Sequence, residues 1–375
     1  MKVYYIDPQS YNNLSLYDYS LLSNVKGHQL RYYYSDLYQL QALPCDDCRC
    51  VFHYSNKRNN LLKALSYCMS MLRILIDVVS CRPDVVHVQW LRLWHVDYAF
   101  AWILRKIGIR VVFTAHNILP HVQRASDPKN YRKYYALVDR IIVHNSRTRD
   151  ELAEQMQVER TKISVLFHGV FENFVDESAV GKRREALAQQ LEIRPGQIVF
   201  ACLGVQKPYK GTQEVVEVWA STPELRDNPD ARLLIIGRNH GLDYTPLQAC
   251  RNAYVLNEMV DDVDFEAYLE LSSVVMLTYR RISQSGLLFS AVHRNVPVLV
   301  SDVGGLTEAL AIGHIGWNIG SLSVEALREA MCRLVKNPDE IAQVRADKAE
   351  FDKICAAYDW RNIGTQTSEF YASLR

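Results

Sequence analysis

The chain alternates short runs of β-branched and aliphatic residues with longer stretches in which apolar positions recur every three or four residues. That alternation predicts strand–helix–strand units and a parallel sheet. In the first half the strand-like runs are Val3 to Ile6, Gln29 to Tyr33, Val85 to Gln89, Val111 to Thr114, Arg140 to His144 and Ile163 to Phe167. Leu14 to Ser23, Leu61 to Val79, Val96 to Ile107 and Arg147 to Gln155 carry helical spacing between them. A second series follows, with strands at Ile198 to Leu203, Ala231 to Ile236, Tyr254 to Asn257, Val274 to Tyr279, Val296 to Ser301 and Gly316 to Ile319. Its helices are Gly211 to Trp219, Phe265 to Leu271, Gly286 to His293, Val324 to Lys336 and Asp339 to Tyr358. The polar stretch from Phe171 to about Pro195 reads as a linker that mixes acidic residues with a Lys182-Arg-Arg-Glu helix and closes on the turn signal Pro195-Gly196. Two doubly wound α/β domains in tandem are expected, over residues 1–175 and 176–358.

A chain of 375 residues has room for two such cores. Its 49% hydrophobic and 23% charged residues exclude a disordered, collagen-like or disulfide-scaffold protein. Uninterrupted apolar runs such as Tyr98 to Leu104 are shorter than the ~18–20 residues of a spanning helix. Met1 to Ile6 reads directly into a strand without a leader, so a cytosolic chain with reduced thiols is the expectation. Cys45, Cys48 and Cys50 are then a reduced loop, since a structural zinc site calls for a fourth ligand and usually a distant second pair. The net charge of +1 is unevenly shared. Residues 1–180 hold 22 Lys and Arg against 17 Asp and Glu, and the remainder 21 against 25. The basic first half suits an anionic partner, either a phospholipid surface or a phosphate-bearing substrate. No basic-aromatic stripe argues for nucleic acid. The apolar tract Asn60 to Val79 reads either as a sheet-covering helix or as an interfacial one.

Ligands of doubly wound folds bind at the carboxyl ends of the strands, and two facing sheets make a cleft. After the strand ending at Leu203 comes Gly204-Val-Gln-Lys207-Pro-Tyr-Lys210-Gly211 and then a helix. Glycines admit close backbone approach, the helix start offers free amides and the lysines supply charge, which together read as a diphosphate cradle or as an ordinary solvated loop. Neither the dinucleotide fingerprint nor the P-loop spacing is present. A second helix start, Ser283-Gln-Ser285-Gly286-Leu287, follows the strand at 274–279, with Ser285 placed to cap. In the first half Thr114-Ala-His116-Asn117-Ile-Leu-Pro-His121 sets two histidines just past a strand, where an imidazole can bond a sugar or carry a proton. His168-Gly169 holds the equivalent place after Ile163 to Phe167, as a site residue or as loop packing. Trp90 and Trp94 suit core packing and carbohydrate stacking alike.

Taken in order, several segments resemble the GT-B glycosyltransferases, family 4 in particular. They are Pro83 to Trp90, Thr114 to His121, Phe167-His-Gly169, Gly204 to Gly211, Leu234-Ile-Ile-Gly237, Ser283 to Gly286, and Val296 to Glu308. The closing Tyr358-Asp-Trp360 is similar to the start of the family's last helix, which implies that residues 359–375 cross back onto the first domain. The resemblance implies a GT-B architecture and transfer of a sugar from a nucleotide diphosphate sugar without a metal or other cofactor. Lys210 matches the family lysine that neutralises the diphosphate, with Lys207 in place of a neighbouring arginine. His116 falls at the sugar end of the donor, as a catalytic residue with Lys210. Ser285, Gly286 and Leu287 fall on the phosphate-holding loop with Gly204, while Asn117 and His121 fall on the acceptor side. One departure stands out. The paired glutamates usual in family 4 would lie at Ile282 and Ser290, which leaves Ser290 for a ribose hydroxyl and Glu308 as the nearest carboxylate. A retaining reaction is expected, on a glycan or polyprenyl-linked acceptor at the inner face of a membrane. The missing glutamates also leave room for a non-catalytic nucleotide-sugar or partner-binding subunit, and less readily for a nucleotide-sugar epimerase.

Overall fold

The computed structural model describes every residue except 12, 56–58, 121–123, 171–174 and 283–284. The chain divides into two compact units, Met1–Phe171 with Tyr358–Arg375, and Glu172–Ala357.

Unit 1 holds β1 (Lys2–Ile6), β2 (Gln29–Ser35), β3 (Asp47–Phe52), β4 (Val85–Val88), β5 (Arg110–Thr114), β6 (Arg140–Val143) and β7 (Ile163–Val165). They form one parallel sheet in the order β3-β2-β1-β4-β5-β6-β7. Alternate residues of β1 feed separate cores. Tyr4 and Ile6 join the core roofed by α2 (Asn60–Cys81), α3 (Trp94–Lys106), α4 (Asp127–Leu137) and α5 (Ser146–Met156), while Val3 and Tyr5 pack beneath α1 (Asn13–Leu22). Because helices cover both faces, β4 is buried at all four positions and reads as an unbroken Val-Val-His-Val run. Helix starts are fixed locally: Asn59 accepts from the Leu61 amide ahead of α2, and Asn145 from Thr148 ahead of α5.

Unit 2 holds β8 (Ile198–Leu203), β9 (Ala231–Ile236), β10 (Ala253–Leu256), β11 (Val274–Leu277), β12 (Val298–Val300) and β13 (Gly316–Asn318), parallel and ordered β10-β9-β8-β11-β12-β13. Its helices are α6 (Glu177–Gln190), α7 (Thr212–Ser221), α8 (Pro223–Arg226), α9 (Asp262–Leu271), α10 (Gly286–His293), α11 (Leu306–Ile312), α12 (Val324–Lys336), α13 (Pro338–Ala346) and α14 (Lys348–Ala357). The chain then returns to unit 1 as α15 (Trp360–Ala372), where Ile363 and Tyr371 enter the core beneath α1.

The structure departs from the sequence reading in several elements, and it adds the short helices α8 and α11. The helix read at Lys182 within the linker extends over 177–190 and is part of unit 2: Asp176 caps α6, and Arg183 and Arg184 pair with Asp264 and Glu270 of α9. Cys48 and Cys50 lie in strand β3 rather than in a loop; Asp47 anchors that polar strand to Arg31 of β2 at 2.5 Å. Helix α4 escaped detection because only Tyr134 and Tyr135 of its polar sequence are buried. The helix expected over Asp339 to Tyr358 breaks at Asp347, whose ψ of 72° is not helical. Finally, α2 is by length and composition apolar enough to cross a membrane, with a mean hydropathy of 1.5 over its window, although Lys63, Arg73 and Asp77 interrupt it. Its inner face of Tyr67, Met71, Ile74 and Val78 is packed into the sheet core instead.

One ion-pair cluster ties three helices of unit 2. Arg294, just past α10, donates to Glu266 at 2.7 Å and Glu270 at 2.9 Å on α9, and to Glu177 at 2.6 Å on α6. With Glu266 and Arg294 both largely withdrawn from water, Arg294→Ala strips a buried carboxylate of its guanidinium. We expect it to destabilise unit 2 by about 3 kcal/mol or more, read as a lower urea midpoint.

Candidate active site

In unit 2 the chain winds outward through β8, β9 and β10, then returns to β11 beside β8 and winds the other way. Loops diverge at such a switch point and open a crevice at the carboxyl ends of the strands. Beyond β8, Gly204 has a φ of 78°, a conformation that costs glycine little. Gly237, beyond β9, passes so near that a Cβ there would sit 2.2 Å from the Gly204 carbonyl oxygen. Buried Gln206 pins the loop. Its Nε2 donates to the carbonyls of Gly204 at 2.7 Å and Cys202 at 3.1 Å, and its Oε1 accepts from the Thr212 hydroxyl at 2.7 Å. A short turn, Pro208–Lys210, then aims the Lys210 ammonium back toward the end of the strand.

Lys210 Nζ lies 3.4 Å from the Leu203 carbonyl and 5.9 Å from the centre of the Tyr279 ring, and it forms no ion pair among the described residues. Burial lowers its pKa to about 8, slightly offset by Cys202 and deepened by Lys207. A desolvated cation with so little compensation is half of an ion pair, and an anion at this edge would complete it. Lys207 is exposed on the same turn, its carbonyl accepting from the Lys210 amide at 2.9 Å.

The second cradle begins next door, beyond β11. Ser285 does not cap α10 as the sequence suggested; its buried hydroxyl pairs with the Tyr279 hydroxyl at 3.1 Å. The leading amides of Gly286 and Leu287 therefore receive no help from that side chain. A Cβ built on Gly286 would meet nothing within 4 Å, so the helix start lies open. Tyr279 links the two segments through its ring and its hydroxyl, and with Gln206 it is a site residue the sequence reading missed; only its place at a strand end hinted at it. Ser290 turns its hydroxyl toward the Gly286 carbonyl at 3.4 Å, and half-buried Glu308 sits in the first turn of α11 beyond β12. A concavity lined by Arg194, Arg226 and Arg232 opens at the other, amino-terminal edge of this sheet, away from these groups.

The switch point of unit 1 lies between β1 and β4, and the histidines gather just beside it. His116 stacks on Trp90 with ring centres 4.5 Å apart and planes 5° off parallel, and meets the edge of Tyr17. Its Nδ1 is 3.1 Å from His144 Nε2, and its Nε2 is 2.9 Å from Gln89 Oε1. His144 Nδ1 in turn faces the Leu166 carbonyl at 2.9 Å. Two acceptors thus bracket two imidazoles, and the three contacts need three protons where neutral rings carry two. Burial holds His116 well below the usual histidine range and His144 at about 3, so the extra proton is disfavoured. The neutral array closes when the Gln89 amide is turned so that its nitrogen donates to His116 and its oxygen faces His87 and Thr114. His87 completes the chain through Tyr371 of α15 at 2.6 Å. Both nitrogens of His116 are therefore engaged by protein groups, and Nε2 is the one that could exchange Gln89 for a ligand hydroxyl.

Around this array, Tyr17 also touches His144, His168 and Trp360. Gly169 leaves room for that last ring, since a Cβ there would fall 2.4 Å from Trp360. Asn117 is half-buried, with Tyr135 bonding the neighbouring Ile118 carbonyl at 2.9 Å. His121, like Ser283 and Gln284, lies outside the described residues. Among those described, no three or more His, Cys, Asp or Glu side chains come together to hold a metal ion.

Two parallel doubly wound sheets, each with a basic or imidazole-lined carboxyl edge, define a GT-B type of protein. Comparison with known proteins gives the family. Residues 24–173 match the model described as Glycosyltransferase Family 4, and residues 197–337 match that of Glycosyl transferases group 1. The chain is a family-4-like GT-B glycosyltransferase. It is similar to glycogen synthase of Mycobacterium tuberculosis, 24% identical over 311 residues that span 79% of this chain and 70% of that one. D-inositol 3-phosphate glycosyltransferase of Corynebacterium urealyticum is 22% identical over 321 residues, 78% of this chain and 72% of its own. HepE of Anabaena, solved in complex with UDP, shares the fold with a TM-score of 0.69 at 13% identity, both chains being covered in full.

Two pH effects follow. His87 and His144 titrate near 3 and His168 near 4 in the folded chain, against about 6.5 unfolded, so the unfolded state binds more protons between those limits. Stability is therefore full above about pH 6.5 and falls on acidification, by up to about 1.4 kcal/mol per pH unit for each histidine. Urea titrations at pH 7 and pH 5 measure the loss. Lys210 behaves oppositely: its charge is present below about pH 8 and lost above it. Anion affinity at this edge should weaken as pH rises through 8, and Lys210→Arg should flatten that dependence in a calorimetric titration with nucleoside diphosphates.

Proposed function

We propose that the chain transfers a glycosyl group from a nucleoside diphosphate sugar to a hydroxyl of a glycan or polyprenyl-linked acceptor, with retention at the anomeric carbon and without a metal, in surface polysaccharide or oligosaccharide assembly at the inner face of a membrane. The observation that carries the donor is Lys210: a half-buried ammonium with no carboxylate partner among the described residues, at the switch point of a parallel sheet, next to an open helix start. The UDP of the Anabaena neighbour supports the same donor class.

In this reading Gly204 and the Lys207–Lys210 turn receive one phosphate, and the amides of Gly286 and Leu287 behind Ser285 receive the other. As the bond from the anomeric carbon to the phosphate oxygen breaks, negative charge grows on the leaving diphosphate. A fixed ammonium and fixed amides stabilise that charge more strongly than the charge spread over the intact donor, which lowers the barrier. Because burial holds Lys210 near its titration point, the arriving diphosphate also secures its proton. Ser290 is assigned to a ribose hydroxyl and Glu308 to the donor sugar, in place of the absent glutamates. His116 is assigned to a sugar hydroxyl through Nε2, with Asn117 and His121 toward the acceptor; these roles rest on the family resemblance.

The test is a panel of UDP, GDP and ADP sugars scored for nucleotide release and for thermal stabilisation. One base should raise the melting temperature and support turnover. Lys210→Ala should lower that turnover roughly 100- to 1,000-fold with an unchanged circular dichroism spectrum. Indifference to every donor, or a Lys210→Ala protein of normal rate, rules the reading out.

A further inference from the structure

The outer surface of unit 1 carries a second signal, on the helices that cover one face of its sheet. Along α2, Leu61, Leu65, Met69, Leu72, Ile76 and Val79 recur every three or four positions, and each is between 45% and 65% exposed. They form a continuous apolar stripe on the side opposite the packed Tyr67, Met71, Ile74 and Val78. The neighbouring α3 exposes Trp102 at 48%, with Lys106 Nζ 5.6 Å from its ring centre. Next to it, α4 exposes Lys129, Arg132 and Lys133. All three helices lie on the same face of the sheet, because their inner sides share one core.

The charge along α2, α3 and α4 is mainly basic, while the adjoining α5 adds the acidic Asp150, Glu151 and Glu154 at the edge of the face. Residues 60–137 contain eleven Lys and Arg against four Asp and no Glu. Those four are occupied: Asp97 is buried against Tyr67, Asp77 pairs with Arg31 and Arg49, Asp84 accepts from the Lys2 amide and Asp127 from the Arg124 amide. Arg105 is paired with Asp139, but Lys106, Lys129, Arg132 and Lys133 form no ion pair among the described residues. An apolar helical stripe, an amphipathic tryptophan and such a bank of cations are the parts of an interfacial surface. We propose that the α2–α3–α4 face of unit 1 docks on an anionic lipid bilayer, the α2 stripe entering the headgroup boundary while the α3 and α4 cations meet lipid phosphates. A second copy of the chain fits this face poorly, because the stripe is flanked by Lys63 and Arg73 and would set like charges together. The proposal names the surface from which a lipid-linked acceptor would be drawn. It deepens the acceptor part of the reading above and needs nothing from the donor part.

The experiment is flotation of the full chain with vesicles of equal parts phosphatidylglycerol and phosphatidylcholine, and with phosphatidylcholine alone, over a range of salt. The chain should float with the anionic vesicles and less so as salt screens the cations. Leu65→Asp with Leu72→Asp should cut the bound fraction at least about tenfold. Lys129→Glu with Lys133→Glu should cut it about fivefold per reversed charge. Both variants change exposed side chains, so nucleotide release in solution should stay at the parental rate, which separates failure here from failure of the donor reading. Absence of flotation overturns the proposal, and so does flotation indifferent to the aspartates. A lipid-free dimer that the same aspartates dissociate overturns it too, since a second copy would then be the occupant.

Discussion

Every strand pairing in both sheets is parallel, and that one constraint decides where chemistry can sit. A parallel strand must be followed by a crossover, so each sheet has an edge at which every strand ends and every helix-leading loop begins. Residues far apart in sequence are delivered to that edge: Lys210 and Ser285 in unit 2, Gln89, His116, His144 and His168 in unit 1. The opposite edge receives the helix-to-strand turns. The reversal of winding between β8 and β11, and between β1 and β4, spreads two loops apart where strands would otherwise lead neighbouring helices side by side.

Desolvation then acts on these groups in two ways. In unit 1 it keeps a set of imidazoles neutral and makes them a hydrogen-bonded array, with Gln89 as the adjustable member, so the rings are held by one another and by Tyr17, Trp90 and Trp360. In unit 2 it leaves Lys210 with its charge under-compensated. The first arrangement is complete as it stands, whereas the second gains by taking up an anion. That asymmetry is why the donor reading rests on the lysine rather than on the histidines.

The strands were readable in the sequence because both faces of each sheet are covered, which turns a central strand into an apolar run such as Ile198 to Leu203. An element held by charge was not. Strand β3 takes its place from ion pairs of Asp47 with Arg31 and of Arg49 with Asp77, and no local pattern announces those; for helix α6 the sequence showed the helix but not its ion pairs to α9. The site was legible to the extent that it consists of strand-end motifs. Gly204, Lys210, Ser285 and His116 all follow predicted strands, but the side chains that hold them, Gln206, Tyr279, His144 and Tyr17, act across loops or between elements. The role of Ser285 shows the limit: spacing alone named it a cap, and a tyrosine six residues earlier claimed its hydroxyl.

The bond between His87 and Tyr371 spans 284 positions, and the whole of unit 2 is threaded between its two ends. During synthesis the second unit can consequently finish folding while the first still lacks the helix that covers part of its interior. Until Tyr371 has been made, His87 Nδ1 lacks that partner, so this link of the imidazole chain closes only after all of unit 2 has been synthesised.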